Sequence, residues 1–156
     1  MDNRVALVTG GNRGIGFAIV RGLIKEDLKV ILTSRVESDG KRAISELGNS
    51  DNLIYHQLDV SKVESIESCK AFIDNEFGKL DILINNAGIN YDTHQNIVNA
   101  DLEEVRETFE TNFYGPWKMI QTFVPLLNKA EWASVVNVSS GAGSIEGLDG
   151  SRPGYS

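Results

Sequence analysis

The chain has 156 residues, 41% of them hydrophobic, and a formal net charge of −7, with an isoelectric point near 4.8. That length and composition suit one α/β domain, and the acidic balance leaves no basic surface for a nucleic acid. No apolar run approaches the roughly 18 residues of a membrane helix; with Met1-Asp2-Asn3-Arg4 leading straight into an apolar stretch, no signal peptide and a cytoplasmic location are expected.

The first apolar run, Val5-Ala6-Leu7-Val8, predicts a strand over about 4–9, and the periodic stretch after it predicts a helix over about 14–27. Between them lies Thr9-Gly10-Gly11-Asn12-Arg13-Gly14-Ile15-Gly16. Its glycines let a ligand approach the backbone, and a helix opening near Gly14 turns unpaired N–H groups and a positive dipole end toward a phosphate. The general dinucleotide spacing G-x-G-x-x-G is not met, because the third position is Ile19; the pattern here is T-G-x-x-x-G-x-G. Taken alone, the segment also reads as an ordinary strand-to-helix turn.

Strand and helix then alternate: strands at about 29–34, 52–58, 81–85 and 133–138, and helices at about 38–48, 61–77 and 101–128. This β-α-β succession predicts a doubly wound parallel sheet in the order 3-2-1-4-5, with its ligand at the carboxyl ends of strands 1 and 4. Cys69, the only cysteine, falls in register with Ile66 and Ile73 on an apolar helix face, which points to core packing rather than redox work. His56 and His94 have no partner at metal-ligand spacing, so no metal is expected.

At the end of strand 2, where an acidic side chain would select NAD, the chain reads Thr33-Ser34-Arg35, and Arg13 lies in the glycine turn on the same side. Two arginines near a 2′-phosphate each add about 1.5–3 kcal/mol, less where exposed, so a tenfold or greater preference for NADP over NAD is expected. The alternative is that both are solvated surface charges. Leu58-Asp59-Val60 offers an adenine ring a carboxylate and an apolar wall, although Asp59 and Ser61 also suit a helix cap. Asn85-Asn86-Ala87-Gly88 closes strand 4 with small residues and with amides able to tie neighbouring strands.

In the long helix, Val105, Phe109, Asn112, Ile120, Val124 and Leu127 follow one stripe, which predicts Asn112 as a polar group on a buried face. Pro116 has no N–H for the Asn112 carbonyl, which is left to bind a water. An asparagine merely filling a kink is the competing explanation. Five glycines between Ser140 and Tyr155 predict a mobile loop.

Taken together, the glycine turn, Asn85-Asn86-Ala87-Gly88, Asn112, Ser139-Ser140 and the final Tyr155-Ser156 resemble the classical short-chain dehydrogenase/reductase family, and most of all its NADPH-dependent carbonyl reductases. The resemblance implies a Rossmann-like NADP(H)-binding domain over 1–156. It implies reduction of a ketone or aldehyde, with Tyr155 as proton donor, Ser140 holding the carbonyl oxygen and Asn112 supporting the proton relay. Gly10, Asn12, Arg13, Gly14, Ile15, Gly16, Ser34, Arg35, Asp59, Val60, Asn86, Ala87 and Gly88 are the positions it assigns to the cofactor. It also implies a small carbonyl or alcohol substrate, neither nucleic acid nor membrane as partner, and a homo-oligomer for a full-length protein. The family's lysine, four positions past its tyrosine, would fall beyond Ser156. The expectation is therefore the leading portion of a reductase, incomplete at its C-terminal side, with a non-catalytic NADP(H)-binding module as the alternative.

Overall fold

A computed structural model of the chain describes residues 4–48, 50–89 and 98–141. Five strands, β1 (Val5–Val8), β2 (Lys29–Ser34), β3 (Leu53–Gln57), β4 (Ile82–Asn85) and β5 (Ser134–Asn137), form one sheet. All neighbours pair in parallel, in the order β3-β2-β1-β4-β5. This is the predicted Rossmann-like arrangement. Strand β1 is buried at every position, as expected for a central strand covered on both faces.

The alternation of side chains along β1 divides the interior in two. Leu7 joins Ile31 and Leu83 beneath the helices α3 (Val63–Phe77) and α5 (Gly115–Leu127), where Ile66, Cys69, Ile73, Met119 and Phe123 close the layer. Val8 joins Val30, Leu32 and Ile84 on the other face, against Val20 of α1 (Gly14–Leu23) and Ala43 of α2 (Glu37–Leu47). Cys69 thus packs in the core, and burial pushes its thiol up to about 12 from an ordinary 9.0. His56 places its Nδ1 2.6 Å from the Gln57 carbonyl and its ring 4.9 Å from that of Phe72; His94 lies outside the described residues.

Two expectations about helices need correction. The first helix ends at Leu23 rather than near 27, because Lys25 and Glu26 donate to carbonyls three residues back, at 3.1 and 3.0 Å, and Asp27 turns left-handed at φ 55°. The long helix is interrupted: α4 (Leu102–Phe109) passes into a π-helical turn, Glu110–Tyr114, before α5 begins. The N–H of Gly115 reaches back five residues to the Glu110 carbonyl. This widened turn lies just ahead of Pro116, which has no N–H to return to Asn112.

The predicted stripe survives only in part: Leu127 is buried and Ile120 packs against the core, but the rest of it does not hold. Phe109 is 55% exposed and Val124 39%, and Asn112 is exposed as well. The buried positions of α5 are Gly115, Met119, Phe123, Leu126 and Leu127, of which the stripe included only the last. Gly115 sits so close to Val60 that a Cβ would lie 3.0 Å from its methyl carbon. Phe113 and Trp117 face outward, and their rings meet edge to face at 5.9 Å. Val135 and Val136 on the outer strand β5 are 39% and 44% exposed.

Candidate cofactor site

The site grows from the place where the sheet changes direction, at the carboxyl ends of β1 and β4. Thr9 stitches the two together: its Oγ1 accepts from the backbone N–H of Asn86 and of Ala87, both at 2.9 Å, and donates to the Ile84 carbonyl at 3.3 Å. The Asn86 side chain answers from the other strand, its Nδ2 donating to the carbonyls of Thr9 at 2.9 Å and Gly10 at 3.0 Å. On the far side, the N–H of Gly11 donates to the Thr33 carbonyl at 2.8 Å. The glycine turn is therefore held by neighbouring strands before any ligand arrives.

Within the turn, Gly10 and Gly14 have φ of 63° and 56°, a left-handed conformation that costs glycine little. Gly16 is required by closeness instead, since a Cβ there would run into the Gly10 carbonyl and the Asn86 amide. Helix α1 opens after Arg13, whose backbone is extended, with no side-chain cap and no acidic residue in the first turn. Its first N–H groups and dipole end suit an anion. The cradle fits a pyrophosphate on these grounds: backbone where side chains would obstruct, unfilled helix donors, and no competing carboxylate at the helix start.

A cleft of about 480 Å³ lies over the turn. It gathers Gly10, Asn12, Arg13, Gly14, Ile15 and Gly16 from the turn, Arg35 from the end of β2, Asp59 and Val60 from the end of β3, and Asn86, Ala87 and Gly88 from the end of β4. Of the expected cofactor residues, Ser34 alone stands apart. It is buried, and its hydroxyl donates to the Val36 carbonyl at 2.7 Å and lies 3.3 Å from the Tyr55 hydroxyl. The same burial raises the Tyr55 phenol above its ordinary range. The helix-cap expectation for Asp59 is corrected, since α3 is preceded by Lys62 with no side-chain cap, and Asp59 closes a local turn ahead of it. Its Oδ1 accepts from the N–H and hydroxyl of Ser61 at 3.0 and 2.7 Å, and its side chain still lines the cleft.

The amide of Asn112 is satisfied, but not in the buried setting expected. Its Oδ1 accepts from the Ile89 N–H at 2.8 Å and its Nδ2 donates to the Ile89 carbonyl at 2.7 Å. This two-point grip fastens the segment after Gly88 to the π-helical turn. Ser140 follows β5 in an exposed position, and Tyr155 and the glycine-rich loop before it lie outside the described residues. The strand tie expected of Asn85 is present, its Nδ2 donating to Asn137 Oδ1 at 2.8 Å.

Sequence reasoning missed Val36, Asp39 and Thr111, all of which line the cleft. Asp39 carried a signal, standing in the first turn of a helix that starts beside the cofactor-selecting end of β2. Thr111 carried none, because the π-helical turn that points it at the cleft has no period of its own.

Among proteins of known sequence, residues 4–153 match the family model "short chain dehydrogenase". (+)-Neomenthol dehydrogenase of Arabidopsis thaliana is 41% identical over 166 residues, covering 93% of this chain and 56% of that protein. Carbonyl reductase [NADPH] 1 of Bos taurus is 41% identical over 142 residues, covering 89% and 50%. The solved structure of salutaridine reductase from Papaver somniferum superposes with a TM-score of 0.81 at 32% identity, over 92% of this chain and 60% of that one. The fold defines a Rossmann-like α/β domain. The chain belongs to the short-chain dehydrogenase/reductase family, and it spans about half the length of the curated relatives it matches.

Proposed function

We propose that the protein is an NADPH-dependent reductase of a small ketone or aldehyde. The observation that carries this is the meeting, in one cleft, of the glycine cradle with Arg13 and Arg35. Relatives at similar identity bear the names carbonyl reductase [NADPH] 1, (−)-isopiperitenone reductase and salutaridine reductase. When bound, the reduced nicotinamide supplies a hydride to the carbonyl carbon.

The chain's own residues do the rest. The N–H groups of the glycine turn hold the pyrophosphate, and Arg13 and Arg35 hold the ribose 2′-phosphate. Asp59 and Val60 receive the adenine. Ser140 donates a hydrogen bond to the substrate oxygen, and the phenol of Tyr155 gives that oxygen its proton. Because the Asn112 side chain is taken by Ile89, its contribution to the relay is the main-chain carbonyl, which Pro116 cannot engage. The aromatic face around Phe113 and Trp117 serves self-association, and a lone buried cysteine suits a cytoplasmic protein.

Loss of NADPH absorbance with a panel of ketones and aldehydes tests this reading. Tyr155→Phe is expected to abolish turnover while leaving NADPH affinity nearly unchanged. Binding of NADPH with no turnover on any carbonyl would overturn the reductase in favour of a binding module, and absence of binding would overturn both.

A further inference from the structure

The wall of the cleft that faces the ribose is not purely cationic. Beside Arg35 and Val36 it carries Asp39, from the first turn of α2. The other acid of that turn, Glu37, is paired with Lys41 along the helix and does not line the cleft. Asp39 is 38% exposed, and its Oδ1 is 3.1 Å from Nη2 of Arg42, one turn along. Arg42 is shared, with its Nε 3.7 Å from Glu46 Oε1. Exposed helix pairs of this kind hold their partners weakly, so the Asp39 carboxylate is released at little cost.

We propose that Asp39 is a second determinant of cofactor choice: a carboxylate on the ribose wall that opposes Arg13 and Arg35, is masked by Arg42, and makes the cleft accept NAD(H) as well as NADP(H). The inference rests on the assignment of the cleft to a nicotinamide cofactor. Its chemistry is a contest over one position. A 2′-phosphate carries close to two negative charges and is drawn by the arginines and repelled by Asp39. A free 2′-hydroxyl instead donates to a carboxylate, and Asp39, in the first turn of α2 just past the end of β2, lines the cleft beside Arg35. With Asp39 turned to Arg42 the wall favours the phosphate; with Asp39 turned to the cleft it favours the hydroxyl.

Dissociation constants for NADPH and NADH, measured by calorimetry on the natural-length protein, test the assignment without relying on turnover. Asp39→Asn is expected to tighten NADPH by about three- to fivefold and weaken NADH by a similar factor, as one partly screened charge implies. Arg42→Gln removes the mask and is expected to move both constants the opposite way. In the Asp39→Asn background that Arg42 effect should vanish. An unchanged NADPH-to-NADH ratio in Asp39→Asn overturns the proposal, as does an Arg42 effect that persists undiminished without Asp39. Arg35→Ala and Arg13→Ala separate this from the broader reading: loss of NADPH affinity in them with Asp39→Asn silent sinks only the role of Asp39. If both arginine variants are silent, the NADP(H) assignment itself fails.

Discussion

Asp81 shows what a single side chain can hold. It is 2% exposed; its Oδ2 accepts from the N–H of Val5 at 2.8 Å and its Oδ1 pairs with Lys79 Nζ at 2.9 Å. The charge stands in for a strand partner at the start of β1, where the sheet alone would leave that donor unmet. Asp81→Ala is expected to cost about 2–4 kcal/mol, by stripping a buried N–H and stranding a lysine, whereas Asp81→Asn keeps an acceptor and costs less; urea melts of the two variants check the order. Cys69 makes a second residue-scale prediction. Its thiol is raised from 9.0 to about 12 in the folded protein, so the native state keeps its proton over a range where the unfolded chain loses it. Stability from this group is full below pH 9 and falls as pH rises toward 12, by up to ~1.4 kcal/mol per unit. Thermal melts across that range should show a shallower decline in Cys69→Ala than in the parent.

Between residues and fold stand the elements, and here the glycine turn and the π-helical turn behave differently as text. The first was legible because each glycine answers a steric demand that can be anticipated: left-handed φ at Gly10 and Gly14, and a bare Cα at Gly16. Gly16→Ala is expected to lower cofactor affinity more than tenfold and to destabilise the fold by about 1–3 kcal/mol, since the methyl has only the Gly10 carbonyl and the Asn86 amide to displace. Calorimetric titration beside a thermal melt measures both. The π-helical turn was illegible for the opposite reason. A stripe drawn at 3.6 residues per turn through Val105 to Leu127 assumes an unbroken α register, and one widened turn rotates everything beyond it. Pro116 gave warning that the hydrogen-bond ladder changes there, but not by how many residues. Asn112 was expected on a buried face, and it stands exposed within the widened turn itself.

At the scale of the whole molecule, the sheet order followed from the β-α-β succession because parallel strands need crossovers of one hand, and few arrangements satisfy that. A side chain such as Thr111, brought to the cleft only by the three-dimensional path of the chain, is beyond what a linear pattern encodes. The outer face of the long helix follows from the fold as well. Phe109, Phe113, Tyr114 and Trp117 form a run of edge-to-face rings, with Trp117 still 52% exposed. Exposed apolar patches mark interaction surfaces, and the self-association proposed for this face predicts that Phe113→Ser with Trp117→Ser shifts the natural-length protein toward monomer in sedimentation; an unchanged distribution would overturn that role.

The stitch between Thr9 and Asn86 has a mechanical consequence. Strands β2 and β3 lie on one side of β1 and β4 and β5 on the other, and the stitch crosses the β1–β4 seam between them. A molecule seated in the cleft touches residues from both sides of that seam, Arg35 and Asp59 on one and Asn86 to Gly88 on the other. It therefore acts as a removable rivet. On the proposed reading, cofactor concentration sets heat resistance, with about 2.7 kcal/mol gained at a hundredfold excess over the dissociation constant.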